Sequence, residues 1–163
     1  MKFSNLACCG LSVLSMWLLL TLTSYAEQKM PPLEHEKWLK DKFSRQHEDL
    51  LPIVAVADMF SACNYERKTD PVNYQVKDLV TKMDRQLLAE KLALCLGEDS
   101  LQSDIALNFG LIGCFREQLS ELPKEERQQK LALVKRAIAS LSREERHKSL
   151  TKCVSDQAIK YLN

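Results

Sequence analysis

The stretch "DRQLLAEKLALCLGE", Asp84–Glu98, sets the pattern on which the chain is built. Its apolar residues recur at helical spacing, and Leu92 and Cys95 lie one turn apart on the same face. The stretch "SREERHKSLTKCVSD", Ser142–Asp156, repeats the arrangement: an arginine, a leucine seven residues later, and a cysteine three residues after that. The sequence therefore predicts two helices that each carry a leucine and a cysteine on an inward face.

The beginning of the chain is typical of a secretory signal peptide. It has one early cation at Lys2, an apolar run from about Leu6 to Leu22, and small residues at Ser24 and Ala26. The apolar run approaches the length that spans a membrane, so a retained anchor is the alternative. We expect cleavage near Ala26, because no cluster of cations follows the apolar run at once.

This interpretation divides the chain into three parts. Residues 1–26 are the signal peptide, 27–48 a weakly packed N-terminal segment, and 49–163 a helical domain stabilised by disulfides. The mature chain has the commonest size for a single domain. It is expected to be exported and to reside in the periplasm or outside the cell, and the short region before the apolar run favours a bacterial origin.

Four cysteines remain after the signal peptide, out of six in the whole chain: Cys63, Cys95, Cys114 and Cys153. An even number in an exported chain predicts disulfides, whereas zinc ligands usually come as closely spaced pairs. Four cysteines permit three connectivities. We favour Cys63 with Cys95 and Cys114 with Cys153, each pair joining antiparallel neighbours. Duplication of one helical hairpin would explain two such pairs. The alternative is two helices that each need a cysteine and a leucine on the same face.

The composition predicts an all-α fold, a compact bundle of five to six helices stapled by two disulfides. Glycine is scarce, with four residues in the chain, and Leu, Ala, Lys, Glu and Gln dominate. A weak helix is expected at about 33–46. The stronger helices are expected at about 51–66, at 84–96 with a short piece at 74–81 leading into it, at about 100–119, from Pro123, and from Ser142.

The ends of these helices carry recognisable signals. Pro52 and Pro123 suit first turns, where the missing N–H costs little. Gly97 is well placed to stop a helix, and Ser142 with Glu145 forms a capping-box pattern.

One predicted helix carries a long apolar row. Ile105, Phe109, Ile112, Phe115 and Leu119 keep i, i+3 and i+4 spacing. We therefore expect this helix to be the central and most enclosed element.

Cations are concentrated towards the C-terminus. The whole chain has 23 Lys and Arg against 22 Asp and Glu, but residues 123–163 carry ten cations and five anions. Helical spacing places seven of them towards solvent, where they are candidate contacts for an acidic partner protein or an anionic lipid headgroup: Arg127, Lys130, Lys135, Arg143, Arg146, Lys148 and Lys152. The alternative is charge pairing between successive turns. Nucleic acid is not expected, since acids are interleaved and aromatic residues are lacking.

No catalytic or metal-binding motif is present. His35, His47 and His147 form no H-E-x-x-H pattern, and the chain lacks a nucleophile signature, a phosphate-binding loop, a dinucleotide fingerprint and a calcium loop. We therefore predict no enzymatic activity, no cofactor and no metal site.

Two functions are compatible with these patterns. The first is a non-enzymatic protein-interaction module, such as a secretion accessory, an immunity protein, a chaperone or a secreted effector, acting as a monomer or homodimer. The second is a carrier of an apolar ligand, with Phe109, Ile112 and Phe115 lining its cavity. A filled core and a lined cavity have the same sequence pattern, so both hypotheses remain open here.

Overall fold

The computed structural model describes residues 32–162, with side chains from Glu34 onward, so the predicted signal peptide lies outside the described residues. The chain divides into two units after Glu36, and the packing described below lies within the second, which begins at Lys37. Six helices and no strand are found in the described range, which confirms the all-α prediction. They are α1 (Pro32–Arg67), α2 (Val76–Thr81), α3 (Arg85–Leu96), α4 (Asp104–Gln118), α5 (Lys124–Ser140) and α6 (Arg143–Lys160).

The first helix is continuous over 36 residues, where the sequence predicted two helices at about 33–46 and 51–66. The prediction that Pro52 begins a helix is wrong, because Pro52 lies inside α1. A proline removes the backbone hydrogen bond to the carbonyl four residues earlier, here that of Glu48. Both residues are exposed, so the freed carbonyl needs no partner within the protein and the helix continues.

The next two helices, α2 and α3, are separate. Asp84 lies between them and caps α3, since its side chain accepts hydrogen bonds from two backbone N–H groups of the first turn. Gly97 ends α3, as predicted, with a φ of 65° that glycine adopts without strain. Arg67 then donates hydrogen bonds to the carbonyls of Cys95 and Leu96, at 2.9 and 2.8 Å, and so ties the end of α1 to the end of α3.

The fourth helix, α4, packs against α5 and α6 and crosses α1 at very short range. A Cβ added to Gly113 would lie 2.1 Å from the carbonyl oxygen of Asp58. The predicted apolar row is only partly right, because Ile105 is 42% exposed and Ile112 and Phe115 are half-buried. Close packing through small side chains explains the difference. The buried residues of α4 are Ala106, Leu107, Phe109, Gly110, Leu111, Gly113 and Cys114.

The last two helices, α5 and α6, begin as predicted. Pro123 immediately precedes α5, and Ser142 with Glu145 forms a complete capping box at the start of α6. Ile138 is the buried residue of α5. Consequently α5 contributes little to the core and leaves much of its surface exposed.

Both predicted disulfides are confirmed. Cys63 is bonded to Cys95, which joins α1 to α3, and Cys114 is bonded to Cys153, which joins α4 to α6. Each bond encloses one intervening helix, α2 in the first case and α5 in the second. Large apolar side chains fill the interior around these bonds, among them Phe60, Leu79, Leu88, Leu92, Leu96 and Leu111.

In the part of the chain that the structure describes, none of the helices combines the length and the apolar character needed to cross a membrane.

Candidate functional site

Six of the seven cations predicted as partner contacts lie close to carboxylates. The pairs are Lys130–Glu126, Lys135–Glu66, Arg143–Asp104, Arg146–Asp104, Lys148–Glu144 and Lys152–Asp156, with N–O distances from 2.5 to 3.6 Å. Arg146 was expected to face solvent, but it does not. Its side chain is 13% exposed and donates a hydrogen bond to Asn108 at 2.8 Å. Charge pairing thus satisfies most of the predicted basic face.

The remaining cation, Arg127, lies in a cleft of about 670 Å³. Lys77, Arg116 and Lys124 line the same cleft, and no carboxylate of residues 34–162 lies within 4.0 Å of any of these four cations. We call this arrangement the cationic cleft. Sequence spacing drew attention to Arg127 alone, because the other three residues come from α2, α4 and the start of α5.

Arg116 is the cation whose orientation is most constrained. Its guanidinium carbon lies 4.2 Å from the centre of the Tyr65 ring, and its Nη1 donates to the Ser61 carbonyl at 3.4 Å. Such a planar fork binds carboxylates through two parallel hydrogen bonds. Burial of the guanidinium lowers the pKa of Arg116, and the positive charge of Arg127 lowers it further, although Tyr65 and Glu117 act in the opposite direction.

This electrostatic arrangement favours the binding of an anion. Arginine stays protonated at physiological pH, so the proximity of Arg116 and Arg127 costs free energy that a negative group placed between them would recover. Glu117 and Glu121 also line the cleft, but neither forms an ion pair with its cations within 4.0 Å. The cleft therefore keeps an excess of positive charge.

The close crossing of α1 and α4 forms part of the wall of the cleft. Gly113 lines it and is held against the backbone of Asp58. Tyr65 follows the crossing on α1, and Arg116 follows it on α4. Because the two backbones are in direct contact at the crossing, these two side chains keep a defined separation.

A buried polar network joins α1, α4 and α6 beside this crossing. The Asp58 Oδ1 accepts a hydrogen bond from Gln157 at 3.2 Å, and its Oδ2 has no partner. Gln157 also donates to the Tyr161 hydroxyl at 3.4 Å, and its Oε1 lies 3.0 Å from the disulfide sulfur of Cys114. The Tyr161 hydroxyl in turn lies 3.5 Å from Glu117, a residue of the cleft.

The network perturbs its ionisable groups through burial. Burial raises the pKa of Asp58 well above its usual value, and it raises the pKa of Tyr161 to about 12. Both groups are therefore held in their neutral forms over a wider range of pH than in water. The sequence spacing did not indicate this network, because the residues of α1 around Asp58, from Ile53 to Phe60, are otherwise all apolar.

We expect Asp58→Asn to stabilise the protein at neutral pH. A carboxyl group whose pKa is raised in the folded state favours folding fully below its unfolded pKa, close to 3.8, and loses that contribution as pH rises towards its folded pKa. Asparagine does not titrate, so the wild-type melting temperature should fall relative to that of the variant across this window. Thermal unfolding of both chains from about pH 3 to about pH 8 measures the difference. Parallel curves would contradict a buried, neutral Asp58.

A second, apolar groove of about 340 Å³ lies between α4 and α5. Ile105, Phe109, Ile112 and Ile138 contribute to its lining. Of the three residues expected to line a ligand cavity, Phe109 and Ile112 lie in this groove, whereas Phe115 packs against the core instead.

The histidines of the second unit lie on different helices. His47 joins α1 to α6, since its Nε2 lies 3.1 Å from the Ser155 carbonyl oxygen, and His147 is exposed on α6. Among the residues that the structure describes, no group of three or more His, Cys, Asp or Glu side chains is placed to hold a metal ion.

No protein-family model, curated protein or solved structure matches this chain.

Proposed function

We propose that the protein is an exported, non-enzymatic binding module that receives an acidic segment of a partner protein in the cationic cleft. The convergence of Lys77, Arg116, Lys124 and Arg127, none of which forms an ion pair with Glu117 or Glu121 of the lining, carries this proposal. Elsewhere on the C-terminal helices, the cations of the predicted basic face already have acidic partners. A negative charge placed in the cleft would thus gain more favourable electrostatic free energy than one placed beside the paired cations.

The chemistry of the lining favours a protein segment over a small apolar ligand. Pockets for small molecules are mostly apolar, whereas this cleft is lined largely by charged and polar side chains. Tyrosine and arginine are the residue types that dominate binding energy at protein interfaces, and Tyr65 and Arg116 are already stacked. Glutamate or aspartate side chains would satisfy the arginine forks with charge-assisted hydrogen bonds.

Two observations support export. The first 26 residues have the composition of a signal peptide, and two disulfides join the helices. Disulfides persist in the periplasm and outside the cell and are rare in reducing compartments. The proposed setting is therefore an envelope or extracellular space, where secretion accessories, immunity proteins, chaperones and secreted effectors act.

The test is the binding of a fluorescein-labelled hexaglutamate peptide, measured by fluorescence anisotropy at low salt. We expect a variant with Arg116→Glu and Arg127→Glu to bind at least about tenfold more weakly, because each charge-assisted hydrogen bond contributes roughly 1.5 to 3 kcal/mol. Added salt should weaken the binding of the wild type.

The matched control carries Lys148→Glu and Lys152→Glu. It changes the net charge by the same amount at two cations that already have acidic neighbours on α6. We expect this variant to keep most of the wild-type affinity. Equal losses in both variants would show that the peptide responds to overall charge and would overturn the assignment to the cleft, as would a wild type that does not bind.

The groove between α4 and α5 keeps the carrier hypothesis as a second candidate. Its apolar lining by Phe109, Ile112 and Ile138 is the observation in its favour. Native mass spectrometry of the protein purified without added ligand discriminates between the two, since a released adduct of lipid size would favour the carrier and a clean apo mass would count against it.

A further inference from the structure

Every residue of α1 from Lys37 to Gln46 is exposed, and we call this stretch the arm. Burial on α1 starts only at His47, which contacts Ser155 of α6. The arm nevertheless carries large apolar side chains: Leu39 is 47% exposed and Phe43 is 50% exposed. Neither packing in the core nor the cationic cleft accounts for these exposed apolar side chains.

The apolar residues of the arm continue the face that α1 turns to the bundle. Leu39 precedes the buried Ala57 by eighteen residues, which is five full helical turns, and Phe43 precedes the buried Ser61 by the same interval. The half-buried Leu50 lies on the same face, two turns after Phe43. The arm is therefore amphipathic, with the apolar face of a packed helix presented to solvent.

Cations border this apolar face. The arm contains Lys37, Lys40, Lys42 and Arg45 against a single acid, Asp41. At 100° per residue, Lys40 and Lys42 fall on opposite sides of the line through Leu39 and Phe43. The ammonium group of Lys42 also lies 4.9 Å from the centre of the Trp38 ring, which is 42% exposed.

We infer that the arm lies along an anionic membrane surface, with Leu39 and Phe43 inserted at the level of the headgroups and the flanking lysines on the lipid phosphates. A helix of this kind, with aromatic and leucine side chains on one face and Lys and Arg around it, binds in the plane of the interface. Its long cations bury their aliphatic parts and keep the charge at the surface. The positive balance of the arm specifies negatively charged lipids.

This surface is separate from the cationic cleft. The arm belongs to the N-terminal part of α1, whereas the cleft is built from the end of α1 and from α2, α4 and α5. The protein would then hold its acidic partner close to a membrane without spanning the bilayer with any described helix.

Hydrogen exchange resolved to residues 37–46 tests the inference on the full chain. Exchange is measured at the amides of the arm itself. Binding of the chain to vesicles through an apolar N-terminal segment would therefore not be counted as protection of the arm. We expect amide exchange in the arm to slow about tenfold with vesicles of phosphatidylcholine and phosphatidylglycerol in a 7:3 ratio, and much less with phosphatidylcholine alone. Unchanged exchange, or equal protection by both vesicles, would overturn the proposal.

Two pairs of variants isolate the apolar contribution. Leu39→Ala with Phe43→Ala keeps a strong helix former at each position, and it should abolish the vesicle-dependent protection. Leu94→Ala with Leu133→Ala removes two exposed leucines outside the arm and should leave the protection unchanged. Arm protection that appears without vesicles and grows with protein concentration would indicate contact with a second copy instead, and would also overturn the inference.

Discussion

A chain that carries Cys114→Ala and Cys153→Ala is expected to lose about 4 kcal/mol of unfolding free energy. The disulfide spans 39 residues, and closing a loop of that length restrains the unfolded chain by about this amount in the chain-entropy model. Since a domain of this size is stable by roughly 5 to 15 kcal/mol, this loss is a large share of the total stability. Alanine is the right replacement, because a serine hydroxyl at these buried sites would need a partner.

Urea denaturation of the oxidised wild type and of the double variant measures this loss. The wild type reduced at both disulfides should be less stable still, because Cys63 and Cys95 close a loop of similar size, with a separation of 32 residues. A difference below about 1 kcal/mol between the wild type and the double variant would contradict a constraining role for the bond between α4 and α6.

Gly113→Ala is expected to destabilise the protein by about 3 kcal/mol or more. The added methyl group would meet the carbonyl oxygen of Asp58 at 2.1 Å and its carbonyl carbon at 2.6 Å, so α1 and α4 would have to move apart. Backbone atoms cannot rotate away as a side chain can. The same displacement would separate Tyr65 from Arg116. We therefore expect the affinity for the hexaglutamate peptide to fall together with the stability.

Gly110→Ala is the matched control for this prediction. It adds the same methyl group to the same helix, but the nearest atoms belong to the side chains of Leu150 and Met59, at 3.1 to 3.2 Å, and these can shift. Alanine also favours the helix over glycine by about 1 kcal/mol. We expect the control to stay close to wild-type stability in urea. Equal losses in the two variants would show that the crossing at Asp58 is not unusually tight.

The parts of the fold that could be predicted from the sequence are those set by local chemistry. Gly97 stops a helix because of its own backbone freedom, and Ser142 with Glu145 satisfies the first turn of α6 without help from the rest of the molecule. The pairing of Cys63 with Cys95 and of Cys114 with Cys153 followed from the order of cysteine-bearing helices along the chain. In each case the residues that decide the outcome lie within one or two neighbouring elements.

The parts that could not be predicted depend on packing between distant segments. A proline usually marks the start of a helix, and only the position of Pro52 on the exposed side of α1 shows why this helix continues through it. Large side chains at Ile105 and Ile112 suggested the inward face of α4, but the close approach at Gly113 turned smaller residues inward. The cationic cleft escaped prediction for the same reason, because Lys77 and Arg116 meet only after folding.

The two disulfides join cysteines that are consecutive within residues 27–163. If the chain is exported as proposed and enters an oxidising compartment with its N-terminus first, Cys95 arrives while Cys63 is the one thiol of residues 27–163 already there. Cys153 then arrives after the first bond can close. Oxidation in order of arrival thus produces the native connectivity, and exchange between wrongly paired sulfurs is not required. Under the proposed export, the order of its cysteines would let the protein reach its native pairing with an oxidant alone, without an isomerase.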